Sequence, residues 1–247
     1  MPSNRKYKEL GEDNLVNFLP IWEAVTSFRE KNIAPVDIYG CETFADISLP
    51  DDERHFHILV STLLSSQTKD ESTAACMNRL KKHGLTPQII CEMSINSLTK
   101  ILYGVGFHNN KAKYLKEVSK IIIESYSGKV PDKYEQLISL PGIGPKMANL
   151  VLQTAFNKVN GISVDTHMHR IFNRIGWVKT KSPSETKYHM EKRLPHSYWR
   201  LVNKVFVGFG QIICRPVNPK CNECVIRALC SHGRRRHKTD IIEVKYE

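Results

Sequence analysis

The chain has 247 residues, of which 41% are hydrophobic and 25% charged, and its formal net charge is +11. This length supports one large or two small domains with a proper core. No apolar run approaches the roughly 20 residues needed to span a bilayer, and the polar start at residues 1–7 lacks the apolar core of a secretory signal. The positive charge favours a polyanionic partner, with nucleic acid ahead of an anionic membrane surface.

Helical periodicity runs through the chain and no segment shows the alternation of a strand, so the predicted fold class is all-α. The first half is predicted to form helices at 19–31, 56–65, 70–82, 86–93, 94–103 and 111–126, with an irregular connection at 33–54 and a loop at 104–110. The threonine-proline pair at 86–87 has the favoured order for a helix start. Further helices are predicted at 132–139, from Pro145 onward, and at 164–177, 184–194 and 196–213.

The stretch 140–149 indicates a tight hairpin that leads into a helix. Gly142 and Gly144 lie two residues apart, and Pro145 suits the first helical position, where no amide hydrogen is needed. Glycine allows positive φ and a close approach of the backbone, and amide groups at such a turn suit a DNA phosphate. A simple helix–helix turn has the same short glycine motif, so the motif alone leaves both interpretations open.

Lys146 falls in the first turn of that helix, where the positive helix end disfavours an ammonium ion. More free amine suits a nucleophile, although a lone lysine is most commonly a solvated surface residue. Asp165 follows 19 residues later and is a good helix N-cap. A carboxylate near an amine nucleophile also stabilises developing positive charge and moves protons, and both roles can coexist.

Four of the seven cysteines crowd into 17 positions with the spacing Cys-x6-Cys-x2-Cys-x5-Cys, namely Cys214, Cys221, Cys224 and Cys230. The odd total and the tight cluster argue against disulfides and for a metal centre in a reducing compartment. Zinc prefers two paired Cys-x2-Cys knuckles, of which only one is present. A [4Fe–4S] cluster tolerates uneven spacing, and zinc stays an alternative on spacing alone.

These features together resemble the endonuclease III family of helix–hairpin–helix DNA glycosylases, over about residues 19–230. The hairpin at 140–146, the segment at 164–167 and the cysteine loop are similar to the family's catalytic lysine, catalytic aspartate and iron–sulfur motifs. Residues 63–70 resemble the segment whose glutamine enters the DNA stack, which maps to Gln67. Residues 106–112 resemble the wedge loop, with Phe107 as the inserted side chain. Gly-Pro-Lys before Met147 resembles the eukaryotic branch.

The resemblance implies two all-α lobes. Residues 47–158 would form a six-helix lobe with the helix–hairpin–helix at about 133–156, and residues 15–46 plus 159–230 an iron–sulfur lobe. Residues 1–14 would be a flexible N-terminus and 231–247 a basic tail that includes the run 234–238. The implied catalytic residues are Lys146 and Asp165, and the implied ligands of the [4Fe–4S] cluster are the four cysteines. The implied DNA-binding residues are Gln67, Phe107, His108, Lys111, Gly142, Gly144 and His167.

The implied activity is bifunctional. The enzyme would excise oxidised pyrimidines of the thymine glycol type from double-stranded DNA, and would then cut the abasic strand 3′ to the lesion by β-elimination. We further expect a monomer without a membrane partner. A basic chain with reduced thiols suits the nucleus, and the mitochondrion stays open as a second location. Two alternatives remain open: an adenine or mispair glycosylase of the same fold, and a non-catalytic helix–hairpin–helix module that binds DNA.

Overall fold

The computed structural model describes residues 15–44 and 46–235, so the predicted N-terminal segment 1–14 and most of the basic tail lie outside the described residues. The α-helices of this part are, in chain order, α1 (Phe18–Lys31), α2 (Pro35–Tyr39), α3 (Asp51–Ser65), α4 (Asp70–His83), α5 (Pro87–Glu92), α6 (Ile95–Ile101), α7 (His108–Tyr126), α8 (Tyr134–Ile138), α9 (Pro145–Phe156), α10 (Thr166–Ile175), α11 (Pro183–Glu191) and α12 (Trp199–Ile212). No strand occurs among the described residues, which confirms the predicted all-α class. None of these helices is long and apolar enough to cross a membrane.

Several helix boundaries differ from the prediction. α2 and the first four residues of α3 fall inside the predicted irregular connection at 33–54, and α7 begins inside the predicted loop at 104–110. The start signals were present, since Pro35 is the first residue of α2 and three acids at 51–53 fill the first turn of α3. The predicted helix at 196–213 is divided into a 3-10 turn at His196–Tyr198 and α12.

The described chain divides into two compact units. Residues 35–163 form one, which we call the hairpin unit, and residues 15–34 with 164–235 form the other, the cysteine unit. The predicted lobes differ from these units at both boundaries, because the prediction placed 35–46 and 159–163 with the cysteines. Phe44 gives a physical reason for the first difference, since its side chain is buried in the core of the hairpin unit.

A continuous, largely aliphatic core fills the hairpin unit. Residues 56–64 of α3 are buried without exception, and α3 contacts both α7 and α9. Buried side chains from these helices include Leu59, Leu64, Leu115, Val118 and Val151. Burial of each such side chain contributes about 1.5–3 kcal/mol, so the end of α3 and the starts of α7 and α9 rest on a rigid base.

Aromatic rings dominate the core of the cysteine unit. The ring of Phe18 on α1 meets that of Tyr198 edge-on at 4.7 Å, and Phe172 on α10 meets Phe206 on α12 edge-on at 5.0 Å. Trp177 lies between the two pairs, tilted against Phe18 and edge-on to Phe206, and donates its indole N–H to the carbonyl of Val16 at 2.9 Å. These contacts join α1, α10 and α12, and thereby fix the start of α10 within the unit.

Candidate functional site

The hairpin between α8 and α9 is anchored by the buried side chains of Leu140 and Ile143. Gly142 has a φ of +78°, and a Cβ at this position would lie 2.7 Å from the ring of Tyr114. Glycine is therefore required at 142 for its conformation and for the close approach of the ring. Gly144 has an ordinary φ of −98°, and a Cβ there would meet nothing within 4 Å. The protein itself thus leaves open space at Gly144.

Lys146 is the second residue of α9, directly after Pro145, and it is exposed. Gly144 serves as the N-cap of the helix, so the unsatisfied amide groups of the first turn lie beside the lysine. The buried Ser163 donates its hydroxyl to the carbonyl of Lys146 at 3.3 Å, which ties this turn to the chain that follows the helix. The result is an exposed lysine at a rigid helix start.

Gln67 and Phe107 lie on two neighbouring loops and are both exposed, Phe107 by 63%. Both have a left-handed backbone, with φ of 49° and 55°. This conformation costs a non-glycine residue about 1–3 kcal/mol and tends to occur at functional sites. The two loops touch through their backbones, because a Cβ at Gly106 would lie 2.3 Å from the carbonyl oxygen of Gln67. His108 begins α7, and its ring meets that of Tyr103 edge-on at 5.8 Å.

The structure corrects the expected role of Lys111, which the resemblance placed among the DNA-binding residues. Its side chain is only 4% exposed, and its ammonium donates to the carbonyls of Leu64 (2.8 Å) and Ser66 (2.5 Å) and to the hydroxyl of Thr68 (3.0 Å). Burial lowers the pKa of Lys111 to about 8, while the three acceptors favour the charged form. An ammonium with all three hydrogens engaged inside the protein supports a loop and has no hydrogen to offer a phosphate.

A pocket of about 210 Å³ opens in the hairpin unit beside these loops. It brings together four residues that the sequence singled out, namely Gln67, Phe107, Lys111 and Gly142. Sequence reasoning missed Tyr114, which also lines it. The signal was available, because Tyr114 follows Lys111 by three positions, which places both on one face of α7, and Phe107 immediately precedes this helix.

Asp165 is the N-cap of α10, as predicted. Its Oδ1 accepts the N–H of Met168 at 2.9 Å, which fixes the orientation of the carboxylate. One turn later, Arg170 donates to the Nδ1 of His167 at 3.0 Å and to the carbonyl of Cys214 at 2.8 Å. Arg170, which sequence reasoning also missed, therefore connects the predicted DNA-binding histidine to the start of the cysteine loop. Asp165 and His167 belong to the cysteine unit and Lys146 to the hairpin unit.

The four clustered cysteines line one pocket, whose other walls include the apolar side chains of Ile171, Phe209 and Ile213. Two of the sulfurs accept hydrogen bonds with N···S distances of 3.5 Å, Cys214 from the guanidinium of Arg174 and Cys230 from the backbone N–H of Gly233. Burial, with a smaller contribution from the three other cysteines, raises the pKa of Cys224 to about 11. Among the described residues, no three His, Cys, Asp or Glu side chains are arranged to hold a single metal ion.

The donor chemistry of this pocket fits an iron–sulfur cluster. A single zinc ion bound at about 2.3 Å from each sulfur would require the thiolates to lie very close together, whereas each cysteine of a [4Fe–4S] cluster binds a separate iron. Apolar walls with N–H groups directed at sulfur are the surroundings that tune such clusters.

Comparison with known proteins identifies the family of the chain. Residues 60–196 match the model of the HhH-GPD superfamily of base excision DNA repair proteins. The chain is 45% identical to endonuclease III-like protein 1 of Gallus gallus over 215 residues, which cover 86% of this chain and 76% of the chicken protein. The chain belongs to the endonuclease III family.

As an endonuclease III family member of the eukaryotic type, the protein is a base excision repair enzyme with DNA glycosylase and abasic-site lyase activity. It is also 43% identical to the chloroplastic endonuclease III homolog 1 of Arabidopsis thaliana, and the match covers 87% of this chain and 58% of that longer protein. The solved structure of a trapped endonuclease III–DNA covalent intermediate matches with a TM-score of 0.70 and 28% identity, over 83% of this chain and 100% of that chain. The fold of the DNA glycosylases is thereby confirmed for this endonuclease III relative.

Proposed function

We propose that the enzyme excises oxidised pyrimidines of the thymine glycol type from double-stranded DNA and cuts the resulting abasic strand through a covalent bond to Lys146. The observation that carries this proposal is the exposed residue Lys146 on the first turn of α9, directly after the hairpin. The similarity to an endonuclease III that was trapped in a covalent DNA intermediate supports a covalent route.

In the proposed reaction, the Lys146 amine attacks C1′ of the deoxyribose and the bond from C1′ to the base breaks. The base leaves with a proton while the amine loses one, and opening of the sugar ring gives a Schiff base. The positive nitrogen acidifies the C2′ hydrogens, so removal of one expels the 3′ phosphate by β-elimination. Water then releases the lysine.

Asp165 is proposed to stabilise the positive charge that develops at C1′ and to carry protons between these steps. Its hydrogen bond from the Met168 N–H holds the carboxylate in one orientation, so little reorganisation is needed as charge develops. The same residue therefore caps α10 and serves the chemistry, as the sequence had suggested.

Gln67 and Phe107 are proposed to enter the DNA stack and fill the gap left by the extruded base. Their exposure and strained backbone support this role. A damaged pyrimidine stacks and pairs poorly, which lowers a flipping cost of a few kcal/mol and favours such lesions. Gly142 and Gly144 are proposed to hold a phosphate through the amide groups of the hairpin, with His108 and His167 as further DNA contacts.

We also propose that the four cysteines hold a [4Fe–4S] cluster. The bound cluster would supply the positive charge that four clustered thiolates require, and would shape the loop from 214 to 230 into a DNA-facing surface without redox work in excision. Purified protein should show the broad visible absorbance of an iron–sulfur cluster. Stoichiometric zinc with no such absorbance would contradict the assignment.

Borohydride trapping on abasic-site DNA tests the covalent route. Wild-type protein should form a covalent adduct, Lys146→Ala should form none, and Lys133→Ala, which changes another exposed lysine of the same motif, should match the wild type. An adduct that survives Lys146→Ala would overturn the assignment of the nucleophile. Complete absence of a wild-type adduct would instead favour a non-catalytic DNA-binding module.

Excision assays test the substrate. Duplexes that contain thymine glycol or 5-hydroxycytosine should be cut faster than a duplex with adenine opposite 8-oxoguanine. The reverse preference would favour a mispair glycosylase of the same fold.

We also propose that the protein is a monomer and that it acts in the nucleus, with the mitochondrion as a second location. The net charge of +11 and the basic run at 234–238 support the nuclear part of this proposal. Sedimentation of the purified protein checks the oligomeric state, and a stable dimer would contradict the proposed monomer. Imaging of a fluorescent fusion checks the location, and exclusion from both compartments would contradict it.

A further inference from the structure

The buried ammonium of Lys111 lies at the C-terminal end of helix α3. Lys111 itself lies on α7, yet two of its three ammonium hydrogens reach the carbonyls of Leu64 and Ser66 at the C-terminal end of α3. The last carbonyls of a helix lack partners within the helix, and the negative end of the helix dipole favours a cation there. Lys111 therefore completes the hydrogen bonding of the chain that leads into Gln67.

Thr68 joins this cation to the second loop. Its hydroxyl oxygen accepts from the Lys111 ammonium at 3.0 Å and from the backbone N–H of Gly106 at 3.1 Å, and it donates to the carbonyl of Ser66 at 3.1 Å. A hydroxyl has one hydrogen and two lone pairs, so its capacity is fully used. The residues held in this way are Ser66 and Thr68, which flank Gln67, and Gly106, which precedes Phe107.

The same network explains why two exposed side chains keep a strained backbone. Left-handed φ values at Gln67 and Phe107 persist only where the surroundings enforce them. The exposed side chains themselves have few contacts that could do so, whereas the residues next to them are fixed by buried hydrogen bonds. Substitution of Gly106 would also drive the loops apart, because a Cβ there meets the Gln67 carbonyl oxygen at 2.3 Å.

We propose that Lys111 and Thr68 are positioning residues that hold the Gln67 loop and the Phe107 loop as one preformed wedge. The inference rests on the proposed function, because it assumes that these two side chains enter DNA. If the inference holds, base extrusion and the attack of Lys146 depend on the wedge to different degrees. Extrusion of a base from duplex DNA needs the wedge, whereas attack of the Lys146 amine on an abasic site in single-stranded DNA, where no base has to leave a stack, does not.

The test uses Thr68→Val, which removes the hydroxyl at constant shape, and Thr68→Ser, which keeps the hydroxyl. Each variant is compared with the wild type in single-turnover excision of thymine glycol from duplex DNA and in borohydride trapping on single-stranded abasic DNA. Fluorescence of 2-aminopurine placed opposite the lesion reports insertion of the wedge. Lys111→Met is the stronger variant, and its thermal unfolding shows whether it folds. Should it not fold, the threonine pair decides alone.

We expect Thr68→Val to slow duplex excision and the fluorescence rise about five- to tenfold, the rate equivalent of one lost hydrogen bond. Thr68→Ser should stay within about twofold, and trapping on single-stranded DNA should be unchanged in both. An equal loss in the two assays, or a rate for Thr68→Val equal to the wild type, would overturn the inference. Failure of the proposed function gives a different result, since the wild type itself would then neither excise nor trap.

Discussion

The hairpin unit and the cysteine unit reach an ordered state by different means. In the hairpin unit, aliphatic side chains from α3, α7 and α9 form one core, and even the buried ammonium of Lys111 has three acceptors. In the cysteine unit, aromatic rings order α1, α10 and α12, but residues 213–230 have little regular structure and surround four thiols. The first unit is therefore complete in its own side chains, and the second would be completed by the cluster that we propose for its cysteines.

Removal of a cysteine ligand is the strongest way to test this difference. Cys224→Ser should abolish cluster loading and destabilise the cysteine unit by several kcal/mol, because the binding free energy of a structural metal centre is also folding free energy. Hydrogen exchange should rise across residues 164–235 and change little across 35–163.

Cys91→Ser is the matched control, since Cys91 is a half-buried cysteine of the hairpin unit outside the cluster. It should leave the visible absorbance and the exchange pattern of 164–235 unchanged. Uniform loss of protection in both units after Cys224→Ser would show that the hairpin unit also depends on the cysteine loop.

Asp165 allows chemistry and folding to be separated within the cysteine unit. Asparagine is as good an N-cap as aspartate but carries no charge. We expect Asp165→Asn to slow excision by about 100-fold or more, the range of general acid–base catalysis, with almost no change in the free energy of unfolding. Single-turnover kinetics and chemical denaturation measure the two quantities.

Asp165→Ala is the corresponding control for the cap. It should slow excision as much as Asp165→Asn and also cost about 1 kcal/mol of stability. If Asp165→Asn retained wild-type rates, Asp165 would be a helix cap alone.

The two hairpin glycines allow stability and DNA binding to be tested separately within the hairpin unit. Gly142→Ala should lower the free energy of unfolding by about 1–3 kcal/mol, because it combines a positive φ with a contact to the Tyr114 ring. Gly144→Ala should change stability little, since its Cβ meets nothing within 4 Å.

DNA binding should rank the same two variants differently. If a phosphate approaches the hairpin, Gly144→Ala should weaken binding to abasic-analogue duplex several-fold despite its normal stability. Equal binding by Gly144→Ala and the wild type would remove the hairpin backbone from the DNA interface. Fluorescence anisotropy at fixed salt measures the affinities.

The smallest expected effect is an acid sensitivity of the hairpin unit. Burial lowers the pKa of His57, whose Nε2 lies 3.0 Å from the carbonyl oxygen of Leu85. Below about pH 6.5 the unfolded chain binds a proton that the folded chain does not, so the free energy of unfolding falls as the pH falls, by at most about 1.4 kcal/mol per pH unit. His57→Gln should reduce this slope in denaturation curves between about pH 5.5 and 6.5.

His55 is a second, half-buried histidine to compare with His57. Burial also lowers the pKa of His55, so its protonation likewise lowers the free energy of unfolding as the pH falls. His55→Gln should reduce the slope as well, and the double variant should reduce it most. An unchanged slope in the double variant would mean that the acid sensitivity originates outside these two residues of α3.

Local chemistry explains what could be read from the sequence. Proline at the first helical position placed Lys146 on the first turn of α9. Asp165 and Thr86 are N-caps because the side-chain oxygen of each accepts the backbone N–H of the third residue after it. These features depend on a few consecutive residues, and the structure has them where they were expected. The start of α7 at His108 was missed because glycine and asparagine around it have the composition of a loop.

The sequence by itself determined the all-α class, the hairpin with its lysine, the capping aspartate and the spacing of the four cysteines, because each is a matter of residue type and short-range order. Only the tertiary structure decided which lysine is exposed and which is buried. Lys111 and Lys146 are the same residue type, but packing of α7 against α3 encloses one at a negative helix end, while the other stays exposed at a positive one. Contacts of Lys111 with residues 43 to 47 positions away make that difference, and no local pattern contains them.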